Sequence, residues 1–505
     1  MYNPNMKLAQ NFLKLFIAIN LVSVGILSCA KEEISPATTP NSTPVTTNLS
    51  ASYNSNGLIA NRYSFALTPK EYPLYDPKNT GGLSGGVDQA TNGTLLYSFQ
   101  NVEHIIINPS KNGGTYTSPL HFVNSKSEWK LENGDYGKLM DMPRNSVQVS
   151  DGIFAWANAS VENDITGNVY LSKTNVSDGL TWSKISNNDG FYHYLASGDI
   201  DNDGVNEVLT YRGAELQQTD KFYIWKQDGT IIADVLPSVS EFEDAIGFVR
   251  RDRNPNQKLD SFSFGSVTVA NLDLTSPEPE LIITSTIALM NEYYSFILLN
   301  YDKSSKKFKI SKVIKTNGAL KENKLAVGDV KTGNFNFDDK LDVVVSMGNG
   351  IDDKFGIQLW YGNGKGDLIP GKNSIFRSSD LNDFSNFEVG RFKNKKVDDI
   401  FLHYTARDIN KVALLSNGLD LNRFFLINDG IENTPFTNPT NLYLPYSVII
   451  YDKNTARYMI PPFIKGYFIN NKLRMIGFKG RLDMYGNNNT SFTGYNEFDL
   501  YDLTY

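Results

Sequence analysis

From about residue 51 onward, apolar residues fall in short runs separated by Gly, Asn and Asp, and helical periodicity is scarce. Examples are Phe222-Tyr-Ile-Trp225, Leu281-Ile-Ile-Thr284, Phe296-Ile-Leu-Leu299, Val343-Val-Val345, Ile357-Gln-Leu-Trp360 and Val412-Ala-Leu-Leu415. Runs of this length bounded by turn residues predict strands joined as hairpins. The abundance of Phe (30) and Tyr (27) suits pleated, half-buried surfaces. The pattern predicts an all-β protein.

One polar stretch recurs between the apolar runs. Its fullest copy is Gly198-Asp-Ile-Asp-Asn-Asp-Gly-Val-Asn-Glu207, followed at once by Val208-Leu209. A second begins at Asn271 and ends at Glu280, a third runs from Asn334 to Asp342, and a fourth from Arg391 to Asp399. The starts lie 72, 63 and 57 residues apart, a mean of 64. Each period also closes on a hairpin signal: Gln227-Asp-Gly229, Tyr301-Asp-Lys-Ser-Ser305, Gly362-Asn-Gly364 and Asn417-Gly418. A unit of this size holds four strands and predicts a propeller blade, so residues 51–505 predict about seven blades.

The first loop places oxygen ligands at positions 1, 3, 5 and 9 (Asp199, Asp201, Asp203, Glu207), a glycine at position 6 (Gly204), and the Val205 carbonyl as a further ligand. Four carboxylates in one small loop repel each other, and a hard divalent ion turns that cost into a gain. Six or more oxygens favour calcium over magnesium. The plain alternative is a solvated Asn-Asp-Gly turn between two strands. In the third loop Asn334, Asn336, Asp338 and Asp342 offer a weaker set, with Asp339 in place of the glycine. The second loop has an insertion and Pro277, and the fourth carries Arg391, Lys393 and Lys395 where ligands belong. All ligands come from a single loop, so the expected ion is structural. These units, over about 190–430, resemble the FG-GAP and VCBS repeats of integrin α-subunit propellers and bacterial surface proteins. The resemblance implies calcium in a loop between the first two strands of a blade.

The N-terminus predicts export. Lys7 and Lys14 precede an apolar run, Leu15 to Ser28, too short to span a bilayer and suited to a secretion signal. It ends in Ile26-Leu27-Ser28-Cys29, which resembles a bacterial lipobox with the cysteine as lipid acceptor. Ala30-Lys31-Glu32-Glu33 is similar to the surface-export signal of Bacteroidetes lipoproteins. The expected organisation is a signal peptide over 1–28, a lipidated Cys29 with a Ser/Thr/Pro-rich tether over 29–50, and the propeller over 51–505. The expected location is the outer membrane, lipid-anchored and facing outward.

Composition narrows the function. A net charge of −7 argues against nucleic acid as partner. Four histidines (His104, His121, His193, His403) are a thin supply for histidine catalysis or zinc, and with Cys29 the one cysteine no intrachain disulfide forms. Gly82-Leu-Ser84-Gly-Gly86 fits the pattern of a hydrolase nucleophile without the strand and helix that motif requires. Gly362-Asn-Gly-Lys-Gly366 has no helix after it and reads as a hairpin turn, and Lys365-Gly366-Asp367 within it carries little information. Trp156, Trp182, Trp225 and Trp360 read as packing between blades. The leading expectation is a non-enzymatic surface module presenting a propeller to a glycan or protein ligand, and the alternative is a polysaccharide lyase or hydrolase. Replacing Cys29 with Ser is expected to move the protein from the membrane to the soluble fraction. Membrane retention of Cys29→Ser after carbonate wash would rule out the lipid anchor.

Overall fold

The computed structural model describes residues 33–34, 42–44, 47–55, 58–66, 93–108, 119–125, 128–132, 143–158, 167–175, 179–186, 191–213, 221–233, 241, 245, 264–285, 295–315, 326–349, 354–371, 376–378, 387–392, 396–402, 423–426, 440–442, 450–452, 457–459, 464–485 and 489–504. Cys29, the predicted signal peptide and Ser84 lie outside these residues.

Six sheets are each built around four strands consecutive in sequence, paired antiparallel in chain order. The first blade is Thr94–Phe99, Val102–Ile107, Leu120–Ser125 and Glu128–Glu132; the second is Pro143–Ser150, Ile153–Asn158, Val169–Thr174 and Leu180–Lys184. The third is Phe191–Gly198, Glu207–Gly213, Lys221–Trp225 and Ile231–Ala233; the fourth is Phe264–Ala270, Glu280–Ser285, Ser295–Asp302 and Lys307–Lys315. The fifth is Ala326–Gly333, Asp342–Asn349, Lys354–Gly362 and Leu368–Pro370; the sixth is Phe387–Gly390, Asp399–Leu402, Arg423–Leu426 and Thr440–Leu442. The expected count of seven such blades is corrected to six. The remaining sheet is assembled from both ends of the chain, with Ile464–Ile469, Lys472–Tyr485 and Asn489–Thr504 running into Leu58–Ala66 and Thr47–Ser55. Parts of the segment read as a tether join the edges: Glu33–Ile34 pairs with the outer strand of the second blade and Ser42–Pro44 with that of the first.

Alternation along each strand explains why the sheets pack side by side. In the third blade Val208, Tyr223 and Trp225 share a core with Ala155, Val169 and Leu171 of the second. Their neighbours Leu209 and Ile224 point the other way, onto Leu281, Ile283, Ile297 and Leu299 of the fourth. The fourth repeats the device, turning Ile282, Phe296 and Leu298 onto Val330, Val343, Val345 and Trp360 of the fifth. Successive strand residues face opposite sides, so an unbroken apolar run marks a strand buried on both faces. Trp225 and Trp360 lie buried in these seams, and Trp156 and Trp182 in the seam between the second blade and Leu95, Tyr97 and Ile106 of the first.

The ends of the chain close the ring. Asn489–Thr504 pairs with Leu58–Ala66 in antiparallel register, setting Phe498 opposite Phe65 and Leu500 opposite Tyr63. Phe65 and Phe498 stack at 4.3 Å and share a core with Ile105 and Phe122 of the first blade. On the same seam Tyr467 Oη donates to the Thr94 carbonyl at 2.6 Å and Arg474 pairs with Glu103 at 2.7 Å. Inside the first blade, His104 and His121 stack, with Nδ1 and Nε2 3.0 Å apart, and burial holds both well below the ordinary histidine range.

Close approach of the innermost strands selects glycine at their ends. A Cβ on Gly198 would lie 2.5 Å from Val269 Cγ1 of the next blade, and one on Gly390 would lie 2.4 Å from Phe468. Gly198→Ala is therefore expected to cost about 1–3 kcal/mol by overpacking. Denaturant unfolding of Gly198→Ala, Val269→Ala and the double variant checks this. The double variant should lose less than the sum of the singles, and strict additivity would exclude the steric account.

Candidate metal centre

The seven connections between an innermost strand and its neighbour are of two kinds. In the closing sheet and the first two blades they are two-residue turns: Asn470-Asn471, Gln100-Asn101 and Asp151-Gly152. Asn470, Asn471, Gln100 and Asn101 all have positive φ, as a tight hairpin that follows the strand twist requires. In the third to sixth blades the connections are the long polar loops at 199–206, 271–279, 334–341 and 391–398. The four repeats detected in the sequence are thus the four long loops, set side by side on one half of the rim.

All four loops share one internal pin. An apolar residue dips inward and its backbone N–H donates to the carboxylate that opens the next strand: Ile200 to Glu207 Oε2 at 2.8 Å, Leu272 to Glu280 Oε2 at 2.8 Å, Phe335 to Asp342 Oδ2 at 2.9 Å and Phe392 to Asp399 Oδ2 at 3.1 Å. The four acids are buried, as are Ile200, Leu272, Phe335 and Phe392. A buried N–H and a buried carboxylate are each costly alone, and a charge-assisted hydrogen bond offsets both. Sequence reasoning assigned two of these acids, Glu207 and Asp342, to metal. Their recurrence in the basic fourth loop shows that the position also has a structural use, and the signal was the acid seven or eight residues after a loop apolar residue in every copy.

Only the third-blade loop gathers carboxylates further. Asp199, Asp201 and Glu207 each bring an oxygen within 4.8 Å of the others, the one such group among the described residues. Asp199 accepts the N–H groups of Asp203 at 2.9 Å and Gly204 at 2.8 Å, which curls the loop. Asn202 (φ 55°) and Gly204 (φ 87°) supply the left-handed turn that the glycine predicted. Asp203 stands aside: Oδ1 accepts the Val205 N–H at 2.9 Å and Oδ2 is held by the Lys226 ammonium. Val205 is on the exposed tip. Glu207 Oε1 and Asp201 Oδ1 are buried and accept no hydrogen bond. Burial, with the charges of Asp201 and Asp203 in support, pushes the Glu207 carboxyl up to about 7. Three converging carboxylates with two unpartnered oxygens are a donor set suited to a hard divalent cation.

The fifth-blade loop spends its oxygens on its own backbone. Asn334 Oδ1 accepts from Phe337 N at 3.1 Å, Asn336 Oδ1 from Asp338 N at 3.3 Å and Asp338 Oδ1 from Lys340 N at 3.0 Å. Asp342 uses its second oxygen on Gly362 N at 3.0 Å, and burial raises its carboxyl to about 7. Asn334, Asn336, Asp338 and Asp342 thus shape a turn. In the fourth blade the backbone at Asp273 forms an antiparallel β-bridge with that at Lys365 of the fifth-blade hairpin, through Leu274 N to the Gly364 carbonyl and Gly366 N to the Leu272 carbonyl, both at 3.1 Å, and the Asn363–Asp367 turn there is the glycine-rich stretch that the sequence read as a hairpin. A second charged group was invisible to sequence reasoning because its members come from different blades. On the inner strands Lys331 lies 3.5 Å from Glu388 and 4.0 Å from Asp329, and Asp329 accepts from Ser266 at 2.7 Å.

No protein-family model matches the chain, and no curated protein matches it. Among solved structures it is similar to the Dos1 propeller, with TM-score 0.39 and 10% identity over 83% of this chain and 97% of that one. It is also similar to AofleA from Arthrobotrys oligospora, with TM-score 0.37 and 8% identity over 71% of this chain and 88% of that one. The class is set by the chain's own strand order and end-to-end closure: an all-β propeller with four-stranded blades.

Glu207 yields a pH test in the absence of metal. Its carboxyl binds a proton more tightly in the fold (about 7) than its ordinary 4.5, so the stability it adds is full below 4.5 and lost as pH rises through 7. Glu207→Gln keeps an acceptor for Ile200 N–H and removes the charge. In chelator, the unsubstituted protein should lose about 2–3 kcal/mol more than Glu207→Gln between pH 5 and pH 8, read from urea unfolding. Parallel pH profiles would show that the buried carboxyl does not titrate in this range.

Proposed function

We propose that the chain is a calcium-stabilised propeller of the FG-GAP/VCBS type, anchored through a lipid on Cys29 at the outer-membrane surface, that binds an extracellular glycan or protein. The observation that carries the binding reading is where apolar surface is exposed. Of the five large hydrophobic residues exposed among the described ones, Val205, Leu274 and Phe337 stand on the third-, fourth- and fifth-blade loops and Ile369 just beyond the adjoining fifth-blade hairpin. Apolar side chains concentrated on one rim, amid polar loop residues, fit a recognition surface better than a solvated edge.

Calcium has a defined place in this reading. Asp199, Asp201 and Glu207 would hold it, with Asp203 and the Val205 carbonyl as completing ligands, and the ion would fix the third-blade loop in shape. Sites of this extracellular kind bind at about 10⁻⁴–10⁻³ M, so about millimolar calcium adds roughly 0.4–1.4 kcal/mol. That gain orders one loop and leaves the ring to its apolar seams. No helix among the described residues is long and apolar enough to cross a membrane, and anchoring in this reading falls to Cys29. The polysaccharide-cleaving alternative draws on Asp329, Lys331 and Glu388, charged groups converging on the inner strands.

The whole protein, probed on immobilised glycans and matrix proteins with and without calcium, tests the proposal. Binding should require calcium and fall about tenfold or more in Leu274→Asp/Phe337→Asp, with the melting temperature unchanged. Calcium should raise that melting temperature, and Asp201→Ala should remove most of the rise. Equal binding by the rim variant would reject the surface, and a flat calcium response would reject the ion. Cleavage of a polysaccharide that is lost in Lys331→Met would establish the enzymatic alternative.

A further inference from the structure

We propose that Lys226 is a tethered cation that competes with the divalent ion for the third-blade loop, so that metal enters by exchange with its ammonium. The inference rests on the calcium reading above and concerns how tightly that site binds. Lys226 Nζ pairs with Asp203 Oδ2 and lies 3.3 Å from Asp201 Oδ2. Asp203 is the one carboxylate of the expected four that does not join the gathered set. The ammonium thus occupies the outer side of the loop and withholds a ligand. On the inner side Glu207 Oε1 and Asp201 Oδ1 remain without a partner, and the Glu207 side chain is fully buried. A cation arriving there meets Asp199, Asp201 and Glu207 and needs Lys226 to release Asp203 and the second oxygen of Asp201.

The exchange costs little backbone motion. Lys226 opens the Lys226–Thr230 turn, which is closed by Lys226 N to the Thr230 carbonyl at 2.7 Å and Gly229 N to the Lys226 carbonyl at 2.9 Å. Gln227 Nε2 donates to the Asn206 carbonyl at 3.2 Å, so turn and loop stay joined while the lysine side chain, 33% exposed, swings into water. A second ammonium, Lys303 of the fourth-blade hairpin, donates to the Asp201 carbonyl and keeps the rim stapled across the blade seam.

Calorimetric titration of calcium chloride into the whole protein, Lys226→Met and Lys309→Met tests the exchange. Lys309 is an exposed lysine of the neighbouring hairpin, paired with Asp302, and controls for loss of one positive charge. Lys226→Met should bind calcium about tenfold tighter than the unsubstituted protein, and Lys309→Met should be unchanged. Calcium binding with the same affinity in Lys226→Met as in the unsubstituted protein would overturn the exchange and leave the metal site standing. Equal tightening in both variants would also overturn it, as an effect of net charge. No binding by any of the three would overturn the metal site itself, and the exchange with it.

Discussion

Each sheet of this protein carries apolar side chains on both faces, and that constraint shapes everything else. A two-sided sheet cannot end against water, so every blade needs a neighbour on each side, and the first needs the last. The chain meets this by giving up a local sheet at its ends. Leu58–Ala66 is carried to Asn489–Thr504, and the pair supplies the face that covers Phe122 and Ile105. The loop so closed is long, but closure entropy grows only with the logarithm of length. A whole seam of aromatic contacts, Phe65 with Phe122, Trp129 and Phe498, stands against it.

Within that ring, loops are held by an economical rule. One buried carboxylate caps one buried N–H wherever the connection is long, and a two-residue turn with one or both residues at positive φ serves wherever it is short. The pin works alike in an acidic loop and in one whose first residue is Arg391. The gathering of further carboxylates in the third blade is therefore an addition to a structural device. The third blade has the fullest addition because Asp199 and Asp201 converge on an acid with an oxygen to spare, whereas Asp342 has both of its oxygens engaged. Long loops on four successive blades make one half of the rim deep, polar and tipped with Val205, Leu274 and Phe337. The other half is trimmed to tight turns.

Much of this was legible in residue order. The turn-bounded apolar runs became strands buried on both sides, save Val412–Leu415, which lies outside the described residues, and the four tryptophans read as seam packing are seam packing. The polar repeats fell between first and second strands of consecutive blades, with Gly204 in the conformation its position called for. The count of blades was not legible, because division by a fixed period assumes equal units. Residues at both ends of 51–505 go into one sheet shared between the termini, so the length they add to the division does not form a further blade of four consecutive strands.

The sequence by itself determined the class of fold, the positions of the loops and which of them is richest in carboxylates. These follow from patterns a few residues long, where hydrogen bonding and side-chain alternation act between near neighbours. Tertiary structure alone decided which oxygens meet and which are already spoken for. Lys226 reaches Asp203 from a separate hairpin, and Lys303 reaches Asp201 from the next blade. Asp329, Lys331 and Glu388 converge from two blades. Contacts between blades depend on how sheets stack around an axis, and no local spacing encodes that arrangement.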